Sequence, residues 1–435
     1  MWTLYPLDST GAANTPTLCV GVEKFQQGIN TLGEKGDSMS SQAEQTTRES
    51  VGADTTMIQT PAKATSSSRL FFVDNLKVAL IILVVLHHFA LSYTGNTPFY
   101  YVEPASHDIL AFFVLLLFQL FNQAYFMGLF FLISGYFTPG SFERKGAKSY
   151  LKDRLLRLGI PTLIFMFILN PLASLGVYQM PAALIKLSPF TTPFTWQQYP
   201  KMIMIGPMWF AVMLLIFEFG YVAWQMVAKR WTNRMINNSV LPNFRVIFAF
   251  ILVLALTSYL VRIVLPLGKY FLGFPTLAYF PQYLSFFLIG ILAFRNNWFR
   301  ALPGSMGKRG FWLALVATLI LFPAAISPSI LGNGTWQSGV YALWDSAFSV
   351  GMCLFLITLF RRFFDNPSKL SMFLSQQAFT VYVIHIPLVV LVAVTLRSIH
   401  IEQLLKFGLA AMIGVPLCFF AAYLVRKIPL ADKIF

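Results

Sequence analysis

Charged side chains are scarce in this sequence, and their scarcity excludes an ordinary soluble protein. Only 11% of the 435 residues are charged and 57% are hydrophobic, whereas soluble domains carry about 25% charged residues. Cysteine is rare as well: Cys19, Cys353 and Cys418 match neither a disulfide framework nor the spacing of a metal site. The sequence therefore predicts an integral membrane protein without a metal centre.

The sequence has neither a secretory signal nor a nucleic-acid-binding motif. The N-terminus has no charged and apolar regions of a secretory signal, and no nucleic-acid-binding motif accompanies the net charge of +15. From Gly33 to Ser68 the chain is too polar to bury the surface that ordering would require, so we expect a disordered tail over residues 1–68 before a membrane domain over residues 69–435. A regulatory or targeting arm is the alternative for the tail.

Long apolar segments dominate the rest of the chain. A hydrocarbon layer of about 30 Å needs about 20 helical residues. Ten segments qualify: Val78–Tyr93, Ile109–Phe137, Leu158–Val177, Ile203–Ala228, Val246–Leu267, Thr276–Phe294, Phe311–Leu331, Val340–Phe360, Ala378–Leu396 and Leu404–Val425. We predict an all-α, polytopic transmembrane helix bundle of about ten helices.

Basic residues alternate between the loops. They crowd the loops after the second, fourth, sixth and eighth spans and the C-terminus, beginning with Arg144, Lys145, Lys148, Lys152, Arg154 and Arg157. By the positive-inside rule this alternation places both termini in the cytosol. The long second span is one tilted helix in this topology, because two passes would reverse every later loop.

Ionisable residues inside the spans are functional candidates, because an unpaired one is costly in lipid. They are Lys77, His87, His88, Glu218, Arg262, Asp345 and His385. Glu218 lies in the inner half of its span and needs a basic or hydrogen-bonding partner.

The first span carries a polar stripe. Lys77 and His88 share a helical face, because eleven residues rotate a helix about 20° beyond three turns, and Asp74 joins them. His87 points about 100° away. We predict His88, near mid-membrane, to take a proton from a hydroxyl group and return it. The alternative, stronger for His87, is a hydrogen bond between helices.

Two further pairs have helical spacing. Arg154 and Arg157, three residues apart before the third span, suit bidentate phosphate binding. Their alternative role is to anchor the loop at anionic lipid. Tyr382 and His385 share a face of the ninth span.

Five segments occur in order between Arg69 and Val425: RLFFVDNLKVALIILVVLHH, FFLISGYFTPGSFERKG, KDRLLRLGIP, GPMWF and AFTVYVIHIP. Together they resemble the integral-membrane acyltransferase-3 family, especially the branch similar to the succinyltransferase of osmoregulated periplasmic glucans. The resemblance implies transfer of an acetyl or succinyl group from cytosolic acyl-CoA to a hydroxyl of a carbohydrate or lipid-linked glycan. It also implies acyl-CoA as co-substrate rather than a permanently bound cofactor. We expect the protein in the plasma membrane, with lipids but no nucleic acid among its partners.

The resemblance also implies roles for residues. Lys77 and His88 match the family's basic residue and proposed base, although most members have Arg at the first position and Lys is a single-point cation. The predicted catalytic set is His88, Lys77 and Asp74, and the predicted donor-binding set is Arg154, Arg157, Ser134 and Tyr136. The predicted supporting residues are His87, Trp209, Glu218, Tyr382 and His385.

Two other functions fit ten helices with buried charges. A secondary transporter or flippase for a polar or lipid-linked substrate has such an architecture, but the two halves show no inverted repeat. The third interpretation, a sensor or scaffold without catalysis, requires the face of His88 to meet lipid.

Overall fold

The described part of the chain is all-α, as the sequence predicts. The computed structural model describes residues 69–95, 99–103, 108–185, 194–228, 241–269, 271, 274, 277–326, 334–429 and 431–434. Within these ranges the only β-pairing is an isolated bridge between Phe271 and Phe274. The predicted disordered tail lies outside the described residues.

In the part of the chain that the structure describes, ten helical segments, labelled α1 to α10, form the bundle. Nine are α1 Phe71–Thr94, α2 Ile109–Arg154, α4 Trp209–Val227, α5 Phe244–Val264, α6 Phe280–Arg295, α7 Gly304–Ala325, α8 Trp336–Phe363, α9 Lys369–Thr395 and α10 Gln403–Arg426. Segment α3 is a continuous run of short π, α and 3-10 turns from Leu155 to Gln179.

The described residues hold nine stretches long and apolar enough to cross a membrane, against ten predicted spans. The difference lies in α2 and α3, which form one stretch of 71 residues, Ile109–Gln179. A straight helix of that length would measure about 107 Å, more than three times the hydrocarbon thickness. The stretch breaks at Gly146, where φ is 71° and ψ is 165°. The predicted second and third spans lie on either side of this break.

Several helices extend beyond the predicted apolar boundaries. Helix α1 begins at Phe71 instead of Val78, and α9 begins at Lys369 instead of Ala378. Helix α2 continues past the predicted end at Phe137 as far as the break at Gly146, and helical turns resume from there to Arg154. Backbone hydrogen bonds hold a helix together whether its side chains are apolar or polar. A helix therefore does not have to end where its apolar segment ends.

Side-chain caps mark the starts of four helices. An N-cap side chain accepts a hydrogen bond from one of the first backbone N–H groups, which have no partner within the helix. The caps are Asp108 before α2, Asn243 before α5, Thr335 before α8 and Ser368 before α9. The polar residues just outside the apolar segments thus determine where these helices start.

Glycine allows α2 and α6 to pack with their backbones in close contact. A Cβ atom on Gly135 would lie 2.0 Å from the carbonyl oxygen of Phe287, and one on Gly290 would lie 2.2 Å from that of Leu132. Small residues allow this kind of approach in membrane helix pairs. The segment around Gly135, which resembles a family motif, therefore also serves helix packing.

The outside of the bundle exposes large apolar side chains. Among them are Val253, Leu319, Ile320 and Met412, which are exposed by 60%, 67%, 66% and 71%. Such a surface would drive aggregation in water. Its natural environment is the hydrocarbon of a bilayer.

Candidate active site

Two histidines on different helices face each other inside the bundle. The ring centroids of His88 on α1 and His385 on α9 lie 4.8 Å apart, at an interplanar angle of 64°. His385 is completely buried and His88 is half-buried. Because α1 starts at Phe71, His88 lies about 26 Å along the helix, farther from its start than the sequence predicted. The face of His88 thus meets protein, the opposite of what the scaffold alternative requires.

Both histidines are held by backbone carbonyl groups. Nδ1 of His88 lies 2.8 Å from the carbonyl oxygen of Val84, and Nδ1 of His385 lies 2.7 Å from that of Tyr382. A carbonyl oxygen can only accept, so each Nδ1 must carry the hydrogen. In the neutral ring, Nε2 then keeps the lone pair. Nε2 of His385 is buried without a hydrogen-bond partner.

His87 has different surroundings. Its ring stacks on Phe126 at 5.4 Å between centroids. Its Nδ1 lies 3.4 Å from the Nδ2 atom of Asn122 on α2. These contacts join α1 to α2, and they suit the alternative of a hydrogen bond between helices.

Tyr382 lies on α9 one turn before His385, and Trp209 is the first residue of α4. The Tyr382 hydroxyl donates a hydrogen bond of 2.5 Å to the carbonyl oxygen of Pro207, so that its hydrogen is already engaged. The Trp209 ring stacks on Tyr283 of α6 at 5.3 Å between centroids. Tyr382 thus joins α9 to the segment that precedes α4, and Trp209 joins the start of α4 to α6.

Gly206, in that same segment, adopts a conformation that favours glycine. Its φ is +47°, and a Cβ atom there would lie 2.7 Å from the Tyr100 hydroxyl and 3.0 Å from Oδ1 of Asn170. Those two polar atoms form a hydrogen bond of 2.5 Å, and Nδ2 of Asn170 donates to the carbonyl oxygen of Met202. Gly206 therefore makes room for a polar junction between α3 and two loops.

Lys77 and Asp74 lie far from His88 on the same helix. They form an ion pair of 3.2 Å on the helical face that they share. Eleven residues separate Lys77 from His88, or about 16 Å of helix. Nζ of Lys77 also lies 4.5 Å from the ring centroid of Phe137. The structure thus brings this pair close to Phe137 in α2 and not to the paired histidines.

Ser134 and Tyr136 are both buried within α2. The Tyr136 ring stacks on Phe299 at 4.1 Å between centroids, with the rings 4° from parallel. Phe299 belongs to the short helix Trp298–Ala301 after α6. The predicted donor-binding role of these two residues stays a prediction.

Arg154 is buried in an ion pair, whereas its neighbour Arg157 is partly exposed. Its Nε atom lies 3.2 Å from Oε1 of Glu218 on α4, and both side chains are at most 1% exposed. Its guanidinium also lies 4.9 Å from the ring centroid of Tyr150. Glu218 therefore has the basic partner that its burial required, but Arg154 offers no exposed face to a phosphate.

Arg157 lies in a partly exposed cluster of charges. Its Nε atom lies 3.0 Å from Oδ1 of Asp153, whose other carboxylate oxygen lies 2.9 Å from Nζ of Lys145. The side chain of Arg157 is 22% exposed. One carboxylate thus holds two cations at the end of the bundle where α2 ends, called here the basic end.

A second buried ion pair joins α5 to α8. Arg262 donates a hydrogen bond of 2.6 Å to Asp345, and the rings of Tyr279 and Tyr341 flank its guanidinium. The sequence identified both charged residues but not their pairing, because 83 residues separate them. We interpret this pair as a structural link, because the residues involved lie on α5, on α8 and in the turn just before α6.

Sequence reasoning missed an ion pair at the end of the bundle opposite the basic end. Glu103, in the loop between α1 and α2, lies 2.6 Å from Nζ of Lys406, near the start of α10. A lysine inside an apolar span is itself a signal of a partner. The described residues hold no cluster of three or more His, Cys, Asp or Glu that could bind a metal ion.

Comparisons with known proteins identify the class. Residues 70–426 match the acyltransferase-3 family, described as an acyltransferase domain, and the chain belongs to this family. Similar proteins are the glucans biosynthesis proteins C of Salmonella schwarzengrund and Salmonella enteritidis, each 25% identical over 383 residues, covering 84% of this chain and 94% of theirs. No solved structure matches. The family match confirms the resemblance seen in the sequence. The chain is therefore a membrane acyltransferase and not a transporter.

Proposed function

We propose that this acyltransferase moves an acetyl or succinyl group from acyl-CoA to a hydroxyl group of a carbohydrate or lipid-linked glycan in the plasma membrane. The observation that carries the proposal is the His88–His385 pair, in which the half-buried His88 keeps the lone pair of Nε2. The glucans in the names of the relatives support a carbohydrate acceptor.

In the proposed reaction, Nε2 of His88 takes the proton of the acceptor hydroxyl. At the same time the hydroxyl oxygen of the acceptor attacks the carbonyl carbon of the thioester. The tetrahedral intermediate then collapses as the carbon–sulfur bond breaks. The leaving thiolate receives the proton from His88 and departs as free CoA, which restores the neutral imidazole. A base positioned in this way contributes about 10² to 10⁴ in rate.

The carbonyl contact of Nδ1 prepares His88 for this role. It holds the ring in one orientation and supports the positive charge that develops when Nε2 becomes protonated. His385 provides a second neutral ring beside it. The Tyr382 hydroxyl donates to Pro207, so stabilisation of the oxyanion in this arrangement would need another donor.

The donor side is proposed at the basic end. Arg157 and Lys145 present partly exposed cations that suit the phosphates of CoA. Arg154 would act indirectly, because its ion pair with Glu218 fixes the start of α3 against α4. Lys77 and Asp74 lie between this end and His88 along α1 and would neighbour the path of the thioester arm.

The direct test is acyl transfer by the purified protein in lipid vesicles. Radiolabelled acetyl-CoA and succinyl-CoA are offered in turn with a glucan oligosaccharide, and labelled saccharide is measured by mass spectrometry and scintillation counting. We expect labelled ester with wild type and none with His88→Ala. Label in neither case, despite folded protein, would contradict the proposed donor and acceptor classes.

A further inference from the structure

Residues 99–103, called here the strap, cover His88 after the end of α1. The ring centroid of Phe99 lies 5.7 Å from that of His88, at an interplanar angle of 36°. Tyr101 and Val102 are 3% and 6% exposed. The strap is therefore packed into the bundle directly beside the proposed base.

The strap has no helical ladder of its own. Individual hydrogen bonds join it to α1, to α3 and to the residue after α3: Glu103 N to Ser92 O at 2.9 Å, Tyr100 Oη to Asn170 Oδ1 at 2.5 Å, and Val102 N to Met180 Sδ at 3.2 Å. Opening the strap therefore breaks individual hydrogen bonds and the apolar contacts of Tyr101 and Val102, without unfolding a cooperative helical unit.

An ion pair, called here the latch, fastens the end of the strap. Glu103 and Lys406 approach to 2.6 Å, with side chains 15% and 5% exposed. Burial raises the pKa of Glu103 above its ordinary value, and Lys406 offsets this effect only in part. The closed latch therefore removes two charged side chains from water, which costs free energy. When the strap opens, both side chains are hydrated again and this cost disappears.

We propose that the strap is a gate on the acceptor side of the catalytic site and that the latch holds it closed. The inference rests on the proposed function, because a polar acceptor that arrives from the end opposite the basic loops would meet Phe99 beside His88. An acceptor hydroxyl gains this access when Phe99 withdraws from the imidazole. Carbohydrate cannot take a route through lipid instead, since its hydroxyl groups are costly to bury there.

Access can be measured without any substrate. His88→Cys is labelled with a water-soluble, charged methanethiosulfonate in a chain whose Cys19, Cys353 and Cys418 are replaced by alanine. Adding Lys406→Ala leaves Glu103 buried without its cation, which favours the open strap. We expect labelling at position 88 at least about fivefold faster than with the latch intact. An unchanged rate would overturn the gate.

Two controls belong to the labelling experiment. Lys269→Ala removes an exposed lysine from the loop after α5 and should leave the labelling rate unchanged. The double exchange Glu103→Lys with Lys406→Glu restores an ion pair of opposite direction and should return the rate toward that of the intact latch.

A reversible bridge tests whether opening is required for turnover. Glu103→Cys and Lys406→Cys are joined by a short bis-methanethiosulfonate in a chain that retains His88 and lacks the native cysteines. We expect transfer to a glucan oligosaccharide to fall more than about tenfold and to return after reduction, with acyl-CoA binding unchanged. The Glu103→Cys single variant, treated identically, cannot form the bridge.

The two experiments separate the gate from the proposed function. Full transfer through the bridged strap would overturn the gate even if the acyltransferase proposal holds. Absence of transfer before bridging would instead contradict the proposed substrates, while labelling at position 88 would still report whether the strap opens.

Discussion

His88 and His385 meet with their Nδ1 atoms bound to carbonyl oxygens, so that each neutral ring keeps its basic Nε2. Their helices start at Phe71 and Lys369, and the two rings lie at similar distances from those starts, about 26 and 24 Å. This contact between α1 and α9 supports His88 as the proposed base. It also distinguishes His88 from His87, which contacts α2 instead.

Replacing each of the adjacent histidines should have different effects. We expect His88→Ala to lower the transfer rate by about 10² to 10⁴, because the proposed base is lost. His87→Ala should retain most of the rate, since it loses a long contact to Asn122 and a stacking contact. Transfer rates are compared per amount of folded protein. A dead His87→Ala beside an active His88→Ala would reverse the assignment.

Arg154→Ala should destabilise the fold. Glu218 would remain charged and unpaired in the interior, at a cost of about 3 to 5 kcal/mol. The double variant Arg154→Met with Glu218→Leu should recover most of that loss, because neither charge is left. Thermal unfolding in detergent measures both. Equal stability of Arg154→Ala and wild type would show that the pair contributes little to stability.

Arg157→Ala should weaken acyl-CoA binding with little effect on stability. Its side chain is partly exposed, and such ion pairs contribute about 0.2 to 1 kcal/mol. Arg157→Lys should restore part of the affinity, since an ammonium lacks the two-pronged geometry. Asp153→Asn should strengthen binding by releasing two cations. Calorimetry with CoA provides the test, and identical affinities in all variants would remove Arg157 from the donor site.

Gly206→Ala should disturb the junction beside the strap. The added Cβ would lie 2.7 Å from the Tyr100 hydroxyl at a φ of +47°, which costs about 1 kcal/mol or more for a non-glycine residue. Gly220→Ala on α4 is the matched control, because its Cβ would meet nothing within 4 Å. Unfolding midpoints should fall for the first variant and hold or rise for the second. Two equal midpoints would contradict the packing argument.

The loops rich in basic residues should lie on the cytosolic side of the membrane, and the other loops on the external side. We expect cytosolic exposure for Lys148 and external exposure for Lys269, both of which are exposed side chains in loops or helix ends. Cysteines placed at these positions are labelled in intact cells with a reagent that cannot cross the membrane. Labelling at position 148 with none at position 269 would invert the predicted topology.

The charged residues of the spans show how far sequence reasoning reached. Burial in an apolar segment identified Glu218, Arg262 and Asp345 as residues that require partners, and that requirement follows from the cost of a charge in lipid. The partners themselves belong to other helices, because a contact between distant segments leaves no periodic signal in either one. Arg154 looked equivalent to Arg157 for the same reason.

By itself, the sequence determined the all-α class, the approximate spans and the family, because the length of an apolar segment and the order of local motifs are properties of contiguous residues. Only the tertiary structure decided that His88 meets His385, that Arg154 is sealed against Glu218 and that Phe99 covers His88. Each of these contacts depends on how elements distant in the sequence pack against one another, as α2 packs against α6 at Gly135. Packing fixes rotation and depth, which spacing along one helix cannot specify.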